Sequence, residues 1–269
     1  MFLLETVKQI DLIERLSVQI WPAEHIEPLC NWILRASGGI TRRANSVFTW
    51  GNFPEDSEWL NQVESFYHNR GLPVYYHVSE ASPDGLDAKL EQLGYLKDAP
   101  TIVMTAECKE VLALSKLKWE QKANAALTSE WLTPVDDKRL DPAAKEIWVK
   151  HFMSLEKFSD ERADFYRGLM DRISPIKGFM QLRLNGVTAA VGTAVVEQGW
   201  AGLTNVVVGE QFRGQGISYR LIQELAEWSN QQGASNLYLQ VMADNNSAIR
   251  SYTNLGFSPQ YGYHYRCKV

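Results

Sequence analysis

The chain has 269 residues, 45% hydrophobic and 22% charged, which is long enough to bury the core of one or two globular domains. Its formal net charge of −5 excludes a general nucleic-acid surface, which needs a basic patch or stripe. Cys30, Cys108 and Cys267 are odd in number and far apart, so they form neither a disulfide framework nor a metal-site spacing, and no metal is expected. Met1-Phe2-Leu3-Leu4 meets Glu5 and Lys8 at once, which leaves no signal-peptide core. No apolar run approaches the roughly twenty residues a membrane span needs. The expectation is a cytoplasmic α/β protein with no membrane or nucleic-acid partner.

Val7, Ile10, Ile13, Leu16 and Ile20 have helical spacing, and Trp21-Pro22 ends that helix. Asn31 to Ala36 and Asn45 to Trp50 read as strands around the Gly38-Gly39 turn. A helix over Asp56 to Arg70 capped by Gly71, a strand over Pro73 to Val78, a helix over Pro83 to Leu93 closed by Gly94, and a strand over Thr101 to Thr105 follow. Residues 107 to 126 are polar and alanine-rich, a linker or connecting helix. Leu127 to Val135 opens a new unit as a strand, followed by helices at Pro142 to Phe152 and Asp160 to Ile173, the second stopped by Pro175 and Gly178. Phe179 to Leu184, Val187 to Val196 and Trp200 to Val208 form antiparallel strands through the hairpin turns Asn185-Gly186 and Gln198-Gly199. A helix from Gly216 to Gln232, a strand at Leu237 to Val241, a short helix from Asn246 to Leu255 capped by Gly256, and a final alternating strand through Tyr261, Tyr263, Tyr265 and Cys267 complete the chain.

Two segments repeat. Val-Tyr-Tyr-His-Val at 74–78 leads through a helix to Leu-Gly-Tyr at 93–95, and Leu-Tyr-Leu-Gln-Val at 237–241 leads through a helix to Leu-Gly-Phe at 255–257. The helices that precede them end at Gly71 and Gly233, so the chain reads as two related halves.

The chemistry concentrates in Asn205 to Gly216. The β-branched run Val206-Val207-Val208 enters a turn with Gly214 and Gly216, and an amphipathic helix follows. A helix N-terminus leaves backbone N–H groups unpaired and favours an anion. The two glycines let the backbone approach a ligand, and Arg213 adds a fixed cation. A dinucleotide fingerprint needs a third glycine where Tyr219 stands, and a P-loop needs a Gly-Lys-Ser/Thr triplet that the chain lacks. What remains is Gln211-x-x-Gly214-x-Gly216 after an antiparallel strand, with Asn246 and Tyr252 beyond.

These residues resemble the GNAT superfamily of acyl-CoA-dependent N-acetyltransferases. Gln211, Gly214 and Gly216 match its Gln/Arg-x-x-Gly-x-Gly/Ala signature; Asn246, Ala248 (one position early), Tyr252, Gly256 and Phe257 match its second pattern. The resemblance covers 127 to 269. It implies that the CoA pyrophosphate sits on the amides of Phe212, Arg213, Gly214, Gln215, Gly216 and Ile217, with Gln211 opening the motif. It further implies that the strands Trp200–Val208 and Leu237–Met242 splay apart, and that pantetheine pairs with the backbone of Val206, Val207 and Val208 as an added strand would. Asn246 bonds the same arm, and Tyr252 protonates the leaving thiolate. By residue type alone, Tyr252 also suits a core position, Asn246 a helix cap and Arg213 a solvated turn.

The resemblance gives no general base, because Trp200 to Val208 holds no acid. Glu197 lies at a hairpin turn and Glu210 in the phosphate turn; His151, Glu156 and Asp160 lie near the loop between the first two helices of the second half, each suited to a surface or capping role. In the first half, Trp50-Gly51-Asn52-Phe53-Pro54 stands where the phosphate turn belongs, and Leu90 or a neighbour where Tyr252 belongs. That half resembles a degenerate copy without the usual CoA site. Its role is either to cover a sheet edge or to close the acceptor cleft with Thr41-Arg42-Arg43.

The expected fold is α+β (α/β in broad terms): two GNAT-like domains, 1–126 degenerate and 127–269 catalytic, each a mixed, mostly antiparallel sheet flanked by helices. The expected activity is transfer of an acetyl group from acetyl-CoA, as co-substrate, to a primary amine on a small molecule or peptide, by direct attack. The negative charge favours a cationic acceptor. The rival expectation is a non-catalytic acyl-CoA-binding or sensing module.

Overall fold

The apolar spacing at the start of the chain folds as helix α1 (Phe2–Gln19), whose Ile10, Ile13 and Leu16 are buried as one core-facing stripe. The computed structural model describes residues 2–122, 127–133 and 140–268. After α1 come β1 (His25–Leu29), β2 (Trp32–Ala36), β3 (Val47–Phe48), α2 (Trp59–His68), β4 (Val74–Ser79), α3 (Leu86–Gln92) and β5 (Leu96–Glu107). The chain continues through α4 (Cys108–Glu120), β6 (Leu127–Leu132), α5 (Pro142–Glu156), α6 (Ala163–Arg172), β7 (Ile176–Leu184), β8 (Val187–Glu197) and β9 (Trp200–Val208). It ends with α7 (Ile217–Gln231), β10 (Asn236–Met242), α8 (Asn246–Thr253) and β11 (Ser258–Lys268). Mixed sheets flanked by helices make this an α+β fold. Among the described residues no helix is long and apolar enough to cross a membrane.

Two compact units form, and they do not divide at 126/127. One comprises Met1–Val103, Val241–Asp244 and Gln260–Val269; the other comprises Met104–Gln240 and Asn245–Pro259. In the first, the last strand of the chain completes the sheet: β11 pairs antiparallel with β4 from Tyr263↔Ser79 to Lys268↔Val74. In the second, the polar segment after residue 107 forms α4, which packs along α7 and is anchored where Cys108 N–H donates to Ser235 O at 2.9 Å. Residues 123–126 of that segment, and Pro134-Val135 of the strand expected over 127–135, lie outside the described residues.

The strands of the two units follow the same pattern of senses. In the first, β1, β2 and β3 are antiparallel neighbours and β3 is parallel to β4. In the second, β6 to β9 are antiparallel neighbours and β9 is parallel to β10. The repeated glycine caps also make the same hydrogen bonds: Tyr95 N–H donates to Leu90 O at 2.9 Å, and Phe257 N–H donates to Tyr252 O at 3.1 Å. Gly94 and Gly256 have φ of +83° and +90°, the left-handed closure that glycine favours. Leu90 is therefore the counterpart of Tyr252.

Several local expectations change. β1 was not anticipated; it is a largely exposed strand carrying Pro28, which suits an edge. The strand expected over Asn45–Trp50 shrinks to Val47–Phe48, because Thr49 turns its hydroxyl onto His77 O at 2.5 Å instead of continuing the ladder. Arg42 and Arg43 lie on a 3-10 turn; Arg42 pairs with Asp98 and Arg43 lies 4.1 Å from the centre of the Trp21 ring. Gly178 does not stop a helix. It sits inside β7, where a Cβ would come 2.8 Å from both Trp131 and Trp228, whose rings stack at 5.2 Å.

The first unit is tied at one buried carboxylate. Glu14 on α1 is fully buried and accepts from His77 Nε2 at 2.7 Å, Tyr261 Oη at 2.6 Å and Ser79 Oγ at 3.2 Å. Burial opposes its charge, but the attraction and hydrogen bond of His77, with those of Tyr261 and Ser79, outweigh it and hold its pKa below the ordinary 4.5. A depressed carboxylate contributes its stability in full above 4.5 and loses it as pH falls through the folded-state value. Glu14→Gln removes the charge from a buried pair and is expected to cost about 3–5 kcal/mol at neutral pH. In urea titrations the variant's loss relative to wild type shrinks toward acid pH; an equal loss at every pH rules this account out.

Candidate active site

The site is built where a sheet stops being continuous. β9 pairs in parallel with β10 at Asn236↔Trp200, Leu237↔Ala201, Tyr238↔Gly202 and Leu239↔Leu203, and the pairing goes no further. On the β8 side the register jumps between Val191↔Val207 and Thr193↔Thr204, so Asn205 and Val206 together face Gly192. This is a β-bulge, which adds twist and bends a strand away from its neighbour. Asn205 has φ of +51°, a left-handed backbone that asparagine tolerates better than β-branched residues do, and its Nδ2 donates to Thr193 Oγ1 at 3.2 Å. Gly192 is required because a Cβ there would stand 2.8 Å from Leu225 of α7. Beyond Leu203, the edge through Val206, Val207 and Val208 is left unpaired toward β10. The hydroxyl of Thr204, one residue past the last pair, is buried with no hydrogen-bond partner among the described residues.

The turn after β9 is fixed by its own bonds. Gly209 N–H donates to Ala189 O at 2.9 Å, Phe212 N–H to Gly209 O at 2.8 Å and Arg213 N–H to Glu210 O at 3.2 Å. Two of the six amides expected to face an anion, those of Phe212 and Arg213, are thus spent in the turn. Those of Gly214, Gln215, Gly216 and Ile217 remain. Gly214 and Gly216 have φ of +77° and +79°, and no side chain caps the N-terminus of α7, so the first-turn N–H groups stay available. The exposed Arg213 reaches back toward β9, its Nε 3.4 Å from Val208 O. Gln211 contributes its carbonyl to Gln215 Nε2 at 3.3 Å.

The second motif lies on α8. Asn245, not Asn246, is the cap: its Oδ1 accepts from Ala248 N–H at 3.1 Å. Asn246 is left exposed, with no side-chain hydrogen bond among the described residues. Tyr252 is half-buried and packs its ring on Phe257 at 5.7 Å. Burial pushes its phenol up to about 12, so it is a neutral donor across the physiological range. All these residues fall in the second compact unit.

The first unit has no such opening. Beyond the parallel pair Phe48↔His77, Thr49 Oγ1 bonds Ser82 Oγ at 2.7 Å, Gly51 N–H donates to Ala81 O at 2.9 Å, and Trp32 Nε1 donates to Asn52 O at 3.1 Å. The segment that replaces the phosphate turn is stitched shut.

The acids named from sequence do not gather into a base. Glu210 is held by Lys157, whose hydrogen bond lowers its pKa, and Asp160 is exposed. Burial raises the pKa of Glu156, against the pull of Arg213, and burial also raises that of Glu197. His151 lines a cavity of about 380 Å³ with Leu155, Lys157, Arg183, Thr188 and Glu210, and Gly209 of the glycine turn forms part of its wall. Sequence reading missed Thr204, the bulge at Asn205 and the polar contacts around His151. An asparagine before a β-branched run was the visible signal for the bulge.

The family described as "Probable histone acetyltransferase Rv0428c C-terminal" matches residues 7–266. A curated relative from Bacillus subtilis (strain 168), "Uncharacterized N-acetyltransferase YobR", is 37% identical over 256 residues, 95% of this chain and 97% of that protein. The chain belongs to the GNAT acetyltransferases. Two solved structures share its fold. A GCN5-related N-acetyltransferase from Kribbella flavida superposes with a TM-score of 0.67 at 13% identity, covering 95% of each chain. A tandem GNAT protein from the clavulanic acid biosynthesis pathway superposes with a TM-score of 0.55 at 11% identity, covering 83% of this chain and 74% of that one. Its relatives make acyl transfer its class of reaction.

The geometry of the glycine turn makes a stability prediction. A Cβ at Gly214 meets no atom within 4 Å, whereas one at Gly216 meets Lys122 Cβ at 3.0 Å. Gly214→Ala pays only the left-handed backbone cost, about 1–2 kcal/mol, and Gly216→Ala is expected to lose more. Denaturant titration of the two variants checks the order, and equal losses exclude the proposed contact with Lys122.

Proposed function

We propose that the protein moves an acetyl group from acetyl-CoA to a primary amine by direct attack on the thioester, using one CoA site in the segment 127–269. The supporting observation is the end of the parallel pairing at Leu239↔Leu203, followed on the same strand by a glycine turn and an uncapped helix N-terminus. An unpaired strand edge fits the pantetheine amides, which pair as a strand would, and the orphaned Thr204 hydroxyl offers one more partner at the split. The free amides of Gly214, Gln215, Gly216 and Ile217, with Arg213 beside them, fit the pyrophosphate. When bound, the co-substrate supplies an activated acyl group; the chain orients it. The backbone N–H groups past the bulge polarise the carbonyl, Asn246 holds the pantetheine arm, and Tyr252 gives its proton to the departing sulfur.

The first half, 1–126, we read as a degenerate second copy of the scaffold. Its parallel strands are followed by cross-bonds through Thr49, Gly51 and Ser82, and its counterpart of Tyr252 is the buried Leu90. It binds no CoA on this reading. The acceptor is a small molecule or the amino end of a peptide.

Calorimetric titration with acetyl-CoA is expected to give one equivalent per chain. Two equivalents overturn the reading of the first half, and no binding overturns the donor site. Tyr252→Phe is expected to slow transfer to an acceptor found in an amine panel by about a hundredfold with acetyl-CoA affinity nearly unchanged. With its phenol at about 12, Tyr252 gives wild type no alkaline fall in rate at physiological pH. A Tyr252→Phe variant with full turnover removes the residue from the mechanism.

A further inference from the structure

The cavity beside the glycine turn contains a histidine whose tautomer is set by its neighbours. His151, on the last turns of α5, is half-buried, and its Nδ1 lies 2.6 Å from Gln181 Oε1. Gln181 is itself buried, and its Nε2 donates to Glu130 Oε2 at 2.7 Å. An ionised carboxylate only accepts hydrogen bonds, so the amide of Gln181 must present its NH₂ to Glu130 and its carbonyl to His151. A carbonyl also only accepts. Nδ1 of His151 must then carry the hydrogen, and the lone pair of the neutral ring sits on Nε2. Thr188 Oγ1, 3.2 Å from Nδ1, steadies the same edge of the ring. Nε2 has no hydrogen-bond partner among the described residues.

We propose that His151 is the base that takes a proton from the incoming amine through Nε2, and that Gln181 and Glu130 are the positioning residues that fix its tautomer. The proposal rests on the amine-acceptor reading above, and it fills the role that no carboxylate fills. The cavity that His151 lines is walled by Gly209, Glu210 and Gln211, the residues that directly follow the unpaired edge of β9. Its volume, about 380 Å³, accommodates a small amine or one end of a peptide. An amine that arrives as an ammonium ion cannot attack until it loses a proton. One proton passes to Nε2 and on to water. As the N–C bond forms and the C–S bond breaks, the nitrogen loses a second proton to solvent, and the sulfur takes one from Tyr252, which solvent restores. The balance is one amide, one thiol and one proton released.

The charged groups around the ring are Glu130 on β6, acting through Gln181; Arg183 on β7, whose Nε and Nη2 donate to Gly186 O and whose Nη1 lies 3.8 Å from Glu130; and Lys157 and Glu210, paired with each other. No carboxylate bonds the ring directly. A base acting through Nε2 works only with that nitrogen bare, so the rate rises with pH.

Two measurements on the full chain test this. Two-bond proton–nitrogen correlation of labelled protein, assigned by the signal lost in His151→Asn, is expected to show a hydrogen on Nδ1 and a bare Nε2; Gln181→Met is expected to release that preference. A hydrogen held on Nε2 in wild type overturns the proposal. In steady-state assays with the acceptor found in the amine panel, His151→Asn is expected to lower kcat/KM about a hundredfold at neutral pH and to change the acid limb of its pH profile. His151→Ala is expected to regain rate with added imidazole. Hydroxylamine, a nucleophile that is neutral at pH 7, is expected to lose far less than an alkylamine in both variants. An unchanged acid limb, or equal losses for both nucleophiles, overturns the proposal. Matching thermal melts and acetyl-CoA affinities show that the variants are folded. Failure of the transfer reading shows separately, as absent acetyl-CoA binding in wild type, and takes the base role with it.

Discussion

The site depends on a failure of pairing. A parallel ladder satisfies every backbone group between two strands, and such a ladder has no place for a ligand. Here the ladder between β9 and β10 ends at Leu203 and Leu239 because β9 carries one residue too many. Asn205 and Val206 oppose the single Gly192, the strand bends, and the next residues present unpaired N–H and C=O groups. Everything functional follows from that bend. It exposes the edge through Val206 to Val208, leaves the Thr204 hydroxyl unsatisfied, and delivers the chain into the glycine turn at the N-terminus of α7.

The two units show the same scaffold with and without this device. Both have antiparallel neighbours leading into one parallel pair, and both close the helix after that pair with the same glycine-capped hydrogen bond, from Tyr95 to Leu90 and from Phe257 to Tyr252. The residues at the opening differ. In the first unit a threonine and a serine hydroxyl, with the backbone of Gly51 and Ala81, close the place that is left unpaired in the second. Around them Trp32, Trp59 and Tyr76 pack edge to face, with Phe53 tilted against Trp32, so this apolar area is buried as core. A scaffold that satisfies its own edge gains stability and gives up the site.

Most of the second half was legible in its residues. The strands from Phe179 to Val208 announced themselves by Asn-Gly and Gln-Gly turns, and Asn185 and Gln198 do adopt left-handed φ of +52° and +50°. The glycine turn and α7 were equally plain, because positive φ and amphipathic spacing are local properties. What was hidden is non-local. The unit boundary depends on β11 pairing with β4, and alternation in a strand says nothing of which strand it joins. The strand expected over Asn45–Trp50 lost most of its length to a side-chain bond that propensity does not register. Asn246 was correctly placed at a helix start, but its neighbour Asn245 does the capping. The partners of His151 came from three separate elements, so no local window held them.

Overall charge says little about what the site meets. A net charge of −5 suggests a cationic partner, but charges separated by more than about 10 Å are largely screened at physiological salt. What an entering molecule meets is the local set. Beside the glycine turn that set is Arg213, Lys157 and Arg183 against Glu210 and Glu156, with Lys157 and Glu210 already paired and burial favouring the neutral form of Glu156. Of this set Arg213 lies beside the free amides of the turn, where on the proposed reading it suits the phosphates of a CoA donor. On the proposed reading, taking a proton from the incoming ammonium also eases its approach to those cations, so the wall assigned to the donor and His151 act in the same direction.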